Sequence, residues 1–170
     1  MNIPTREECI NLLKEYNVPE DTQKHCKAVN KVAVFLAKKL KEKGVDIDVD
    51  LVSAGSLLHD IGKSEGEPAK GHAERGYELL KEKYPEVAEI VKVHSFFKVP
   101  ETKTWEQKVV NYSDKRAVLE IITFKERLED WQERLNLELD PELVNEELEI
   151  EKEIFNIIEL EPDKLGEYIE

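Results

Sequence analysis

The chain has 170 residues, of which 40% are apolar and 37% charged, and its net charge is −13. That length supports one domain with its own core, and no apolar run approaches the ~18–20 residues of a membrane span. The acidity is concentrated: residues 138–170 carry thirteen acids against two lysines, so the first 137 residues are nearly balanced. With no basic face, long DNA or RNA is not an expected ligand.

Gly and Pro are sparse at seven each, while Glu, Lys and Leu dominate, which predicts an all-α chain. Thr5 and Glu8 form a capping box ahead of "REECINLLKEY". Pro19 opens a long helix that runs to about Lys43 and stops at Gly44. "DIDVDLVSAGSLLHD" follows, capped by Asp48 or Asp50, and residues 62–71 read as a loop. "HAERGYELLKEKY" and "PEVAEIVKVHSFF" are the next two helices, followed by a loop at Pro100 and a helix over "TWEQKVVNYSDKRAVLE". Thr123 to about Leu135 forms another, and Asp140–Pro141 are N-cap and first turn of a long helix to about Leu160. In that last helix Leu143, Val144, Leu148, Ile154, Phe155 and Ile158 make an apolar stripe, with Glu on a solvated face. The stripe is expected to pack on the body or on a second copy, which leaves a homodimer open. One domain spanning 1–170, with a core at about 20–120 and an acidic helical extension at about 121–170, is the expected organisation. The start shows no signal peptide, and Cys9 and Cys26 have neither zinc-knuckle nor disulfide spacing. Both features suit a reducing cytoplasm.

The stretch "AGSLLHDIGKSEG" places His59 and Asp60 at the end of an apolar helix, and a carboxylate buried there needs a partner or a metal. Each of the four histidines lies on an apolar stripe. His25 precedes Val29, Val32, Ala33, Leu36 and Leu40. His59 continues Val52, Gly55 and Leu58; His72 begins Gly76, Leu79 and Leu80; His94 ends Val87, Ile90 and Val91. Asp114 lies four residues from both Val110 and Val118 and faces inward as well. A single inward histidine is ordinarily a satisfied core residue. Six polar groups pointing inward are more simply explained by one shared metal site. Imidazole with carboxylate is ligand chemistry for Zn, Mn, Fe, Co or Ni, and six ligands suit two metals sharing a carboxylate.

The ordered set His25, His59–Asp60, His72, His94, Asp114, with "HDIGK" at its centre, resembles the HD-domain superfamily of metal-dependent phosphohydrolases. "HAERG" and "YSDKR" resemble further segments of two-metal members. The resemblance covers roughly residues 20–120 and implies an HD-domain helical bundle. It implies that Asp60 bridges two divalent metals (Mn, Fe, Co or Ni), with His25, His59 and Asp114 on one and His72 and His94 on the other. It further implies cleavage of a phosphoester of a nucleotide or other small phosphorylated metabolite by a metal-activated hydroxide, with Asp60 and Lys63 in catalytic roles. Lys63, Lys115 and Arg116 are candidate phosphate contacts, Lys70 a weaker one, and Arg116 is equally suited to a structural ion pair. Phe96, Phe97, Trp105 and Tyr112 are expected to pack in the core. Two alternatives use the same scaffold: a di-iron oxygenase of the inositol-oxygenase type, and a non-catalytic nucleotide-binding module.

Overall fold

The computed structural model describes residues 2–64, 67, 70–94, 102–135 and 138–169. Phe96, Phe97 and Pro100 lie outside the described residues. The elements are α1 (Arg6–Glu15), α2 (Glu20–Glu42), α3 (Val49–Leu58), α4 (His72–Leu80), α5 (Pro85–Lys92), α6 (Trp105–Arg116), α7 (Phe124–Leu135), α8 (Pro141–Ile158), a 3₁₀ turn (Pro162–Lys164) and α9 (Leu165–Tyr168). Among the described residues there is no strand, only an isolated antiparallel bridge between Ala117 and Ile121. No helix among them is long and apolar enough to cross a membrane.

Local chemistry sets the helix starts. Thr5 and Glu8 close the capping box of α1. Asp48, not Asp50, caps α3 by accepting from the Asp50 and Leu51 backbone N–H groups. Thr104 and Gln107 form a second capping box on α6. Asp140 accepts from the Glu142 N–H, with Pro141 at the first position of α8.

The apolar stripe of α2, Val29, Val32, Ala33, Leu36 and Leu40, is fully buried, and it packs beside α3 and α6. Nearly every residue of α3 is buried, because α1, α2, α5 and α6 surround it. This central helix ends inside the molecule, so the residues that follow it, His59 and Asp60, lie in the interior.

Three sequence expectations need correction. α6 stops at Arg116 rather than near Glu120: Ala117 is extended, and the chain folds back on itself through residues 118–121. Val118 is therefore 37% exposed instead of inward. Leu79 is also exposed, because α4 offers Ala73, Gly76 and Leu80 to its neighbours. On α8 the inward stripe is Leu143, Glu147, Ile150, Ile154 and Ile158, while Leu148 faces solvent. The acids of α8 are not confined to a solvated face. Glu147 is fully buried, and Glu151 and Glu153 pair with Arg116 and Lys108 of α6. Ile150, Ile154, Phe155 and Ile158 join the same core as α2 and α3, so the extension is packed on its own chain.

Two glycines let α4 approach α3 and α5. A Cβ at Gly62 would lie 2.0 Å from the His72 carbonyl oxygen and 2.8 Å from the Gly76 nitrogen; one at Gly76 would lie 2.6 Å from Val91 Cγ1. The obstacle at Gly62 is backbone, which cannot rotate away as a side chain can. Gly62→Ala is expected to cost at least about 2 kcal/mol through forced separation of α4 from the end of α3. Thermal melting followed by circular dichroism should show a midpoint at least about 5 °C lower.

Candidate metal centre

The six inward groups are delivered largely by helix ends. His25 comes from the second turn of α2 and Asp114 from the last turn of α6. His59 and Asp60 follow α3, His72 is the first residue of α4, and His94 lies just past α5. All six meet at one end of the bundle. His59, Asp60 and His94 are buried, and all of the six except His59 border a cavity of about 520 Å³.

They form two triads. In the first, His25 Nε2 is 3.0 Å from Asp114 Oδ1, His59 Nε2 is 3.4 Å from the same oxygen, and the two ring nitrogens are 3.3 Å apart. In the second, His72 Nε2 and His94 Nε2 are 2.9 Å apart and lie 3.3 and 3.4 Å from Asp60 Oδ1. Asp60 Oδ2 faces the first triad, 3.5 Å from His59 Nε2 and 3.8 Å from His25 Nε2. One carboxylate thus presents an oxygen to each triad.

Backbone contacts set the tautomers. His59 Nδ1 donates to the Ser56 carbonyl at 2.8 Å, His25 Nδ1 to the Val118 carbonyl at 3.1 Å, and His94 Nδ1 to the Val91 carbonyl. With Nδ1 carrying the proton, neutral imidazole points its Nε2 lone pair inward, the arrangement of a metal-ligating histidine. The spacing fits as well. Ligand atoms about 2.1 Å from a common ion are separated by roughly 3.0–3.4 Å along the edges of an octahedron or tetrahedron, and the edges of both triads fall at 2.9–3.4 Å. Asp60 Oδ1 is buried and has no hydrogen-bond partner, which is costly for a carboxylate oxygen unless a cation compensates it. The donor set therefore fits divalent cations.

Electrostatics agree with this reading. Burial opposes ionisation of Asp60, yet His59, His72, His94 and Lys63 hold its carboxyl well below the usual range. Burial likewise opposes ionisation of Asp114, and His25, His59 and Lys115 outweigh it. Burial lowers His94 to about 4, so this ring is neutral at pH 7. At His25 burial also disfavours the charged form, but the bond to Asp114 prevails and raises its pKa. Cys26, which the sequence reading did not connect to the site, lies against His59 and Asp60. Burial pushes its thiol well above the ordinary value, so it is a neutral neighbour rather than a thiolate.

The candidate phosphate contacts separate. Lys63 borders the cavity, with Nζ 2.7 Å from Asp60 Oδ2. Lys70 is exposed, and its carbonyl accepts from Arg75. Lys115 and Arg116 are corrections: neither borders the cavity, and both are buried. The Lys115 ammonium donates to the His94 carbonyl at 2.8 Å. Arg116 is turned toward α8, where it binds the Tyr112 hydroxyl, Glu151 and the carbonyls of Ile122 and Pro162. Tyr112 is buried in that cluster, and Trp105 is partly buried beneath Lys108.

Sequence reasoning missed Arg127, Trp131 and Leu119. Arg127 borders the cavity, but its guanidinium is taken up by the carbonyls of Asp114, Lys115 and Ala117. It thereby caps the C-terminus of α6 beside Asp114. Its position three residues after Phe124 and four before Trp131, on the inward face of α7, was the available signal. Leu119, 65% exposed, stands at the cavity mouth.

These features are those of an HD domain. The HD domain family matches residues 22–164, so the chain belongs to it. The superfamily consists generally of metal-dependent phosphohydrolases, and HD domains bind divalent metals. Among curated relatives, the chain is 41% identical over 76 residues to an uncharacterized protein of Methanocaldococcus jannaschii, covering 45% of this chain and 44% of that protein. It is 37% identical over 79 residues to a tRNA (cytidine(56)-2′-O)-methyltransferase of Thermoplasma volcanium, covering 46% of this chain and 22% of the relative. To the protein of the same name in Picrophilus torridus it is 29% identical over 151 residues, covering 79% of this chain and 42% of the relative. The matched stretch spans less than half the length of each of these relatives. No solved structure is a significant match.

Arg116→Met should act on stability and not on the site. Removing a buried cation that joins α6 to α8 leaves Glu151 with only the Tyr112 hydroxyl and the carbonyls of Ile122 and Pro162 without this donor, and a loss of about 3 kcal/mol is expected in urea denaturation. Affinity for Mn²⁺ should be unchanged.

Proposed function

We propose that this chain is a metal-dependent phosphohydrolase that cleaves a phosphoester of a nucleotide or another small phosphorylated metabolite. The observation that carries the proposal is Asp60, one of whose carboxylate oxygens lies beside His72 and His94 and the other beside His59 and His25. In this reading His25, His59 and Asp114 would hold one divalent ion and His72 and His94 the other, with Asp60 available to both. Mn, Fe, Co and Ni suit the nitrogen–oxygen donor set. Such ions supply Lewis acidity toward a phosphoryl oxygen and an ionised water at neutral pH.

The chain's own residues do the rest. Backbone carbonyls hold three imidazoles in the ligating tautomer. Lys63 places its ammonium at the border of the cavity, where it would meet phosphate as a point charge while keeping Asp60 ionised. Arg127 fixes the end of α6 and with it the place of Asp114. The cavity, about 520 Å³, accommodates a small metabolite. The two free, buried cysteines suit a reducing cytoplasm.

Phosphate release from a panel of nucleoside monophosphates, cyclic nucleotides and sugar phosphates tests the proposal, with Mn²⁺ in air and with Fe²⁺ both under nitrogen and after admission of air. At least one substrate should turn over, Asp60→Asn should abolish turnover, and Lys63→Ala should lower kcat/KM by about 10- to 100-fold. Phosphate release that survives Asp60→Asn contradicts the mechanism. Dioxygen uptake without phosphate release points to the oxygenase alternative, and ligand binding without turnover to a non-catalytic module.

A further inference from the structure

α8 meets α6 through three acid–base pairs. Lys108 Nζ is 2.6 Å from Glu153, Arg116 is 3.3 Å from Glu151, and Lys115 Nζ is 3.8 Å from Glu147 Oε1. The first two are hydrogen-bonded, the Lys108–Glu153 pair being partly exposed and the Arg116–Glu151 pair largely buried. The third differs from them. Glu147 is fully buried, and neither of its carboxylate oxygens has a hydrogen-bond partner. An interior carboxylate of that kind costs stability, and Ile150 and Ile154 beside it on the same stripe show that an apolar side chain suits this face of α8.

Glu147 sets a carboxyl 3.8 Å from the Lys115 ammonium; burial raises its pKa, and the ammonium opposes that rise. The fully buried Lys115 ammonium donates to the His94 carbonyl at 2.8 Å and lies 3.6 Å from Asp114 Oδ2. It therefore touches a residue of each triad. Alone, it would compete with a cation for the Asp114 carboxylate and repel both ions across a few ångströms of low-dielectric interior. An ionised Glu147, 3.8 Å from the ammonium, offsets that positive charge. Resting on the metal-binding reading above, we infer that Glu147 is a positioning residue which acts through Lys115 to raise the metal affinity of the centre. By this route the acidic α8 contributes to a site it does not line.

The test is titration of metal-free protein with Mn²⁺ at pH 8, followed by calorimetry, on variants whose cooperative melting shows an intact fold. Glu147→Gln keeps the shape and removes the charge, and should weaken Mn²⁺ binding by about 10- to 100-fold, as the loss of an outer partner does at metal sites. Glu147→Asp keeps the charge and should stay within about threefold of wild type. Adding Lys115→Met to Glu147→Gln removes the unopposed ammonium and should recover most of the loss. If Glu147→Gln does not fold, Lys115→Met with Glu147→Met, which replaces the pair by apolar volume, should bind Mn²⁺ within about threefold of wild type. A folded Glu147→Gln that binds as wild type overturns the inference, as does a double variant that binds tenfold or more worse than wild type. Wild-type protein that binds no Mn²⁺ overturns the metal reading itself, and this inference with it.

Discussion

Two facing imidazole nitrogens that both present lone pairs repel each other, and a buried carboxylate oxygen without a donor has lost its water and gained nothing in return. The fold brings facing imidazole nitrogens and a buried carboxylate oxygen together in one place. His25 and His59 face each other at 3.3 Å, His72 and His94 at 2.9 Å, and the orphaned Oδ1 of Asp60 lies beside the second pair. A proton on His25, favoured by its bond to Asp114, relieves the first triad. Among the described residues Asp60 Oδ1 makes no hydrogen bond, and its nearest cation-forming groups are the His72 and His94 rings at 3.3 and 3.4 Å. A cation between the donors turns each of these costs into a bond, and that exchange gives the rest of the architecture its sense.

The surrounding elements serve to hold the donors against this repulsion. α3 is buried on all sides and carries His59 and Asp60 into the interior at its end. Gly62 then lets the first turn of α4 close to backbone contact, which brings His72 alongside. The carbonyls of Ser56, Val91 and Val118 take the Nδ1 protons, while Arg127 ties off the carbonyls at the end of α6 and so fixes Asp114. Along the back of α6, the acids of α8 meet its cations. Such a centre depends on many weak backbone contacts rather than on a few strong side-chain ones.

Much of this was legible in the sequence. The helices followed from apolar periodicity and caps, and the six inward groups from their positions on those stripes, because i, i+3 and i+4 spacing fixes direction within a helix. Periodicity failed where a helix ended early. Val118 appeared inward only if α6 continued past Arg116, and Arg127, which stops it by binding its last carbonyls, is remote in sequence. Lys115 and Arg116 were legible as neighbours of Asp114 but not as buried residues, since their partners, the His94 carbonyl and the acids of α8, are long-range. Glu147 left a trace: it stands at a stripe position between Leu143 and Ile150, where an apolar residue is expected. The carbonyls that set the histidine tautomers left none, because every residue has a carbonyl.

Metal content per chain tests the paired centre most directly. Untagged protein is loaded with Mn²⁺, passed through gel filtration without chelator, and analysed for metal and for protein by amino-acid analysis. Two ions per chain are predicted, falling to one when His72 and His94 are both replaced by alanine with the helical fold retained. Wild-type protein that retains no Mn²⁺, Fe²⁺ or Co²⁺ after loading would contradict the account, and the inward cluster would then be held by protons and internal hydrogen bonds alone.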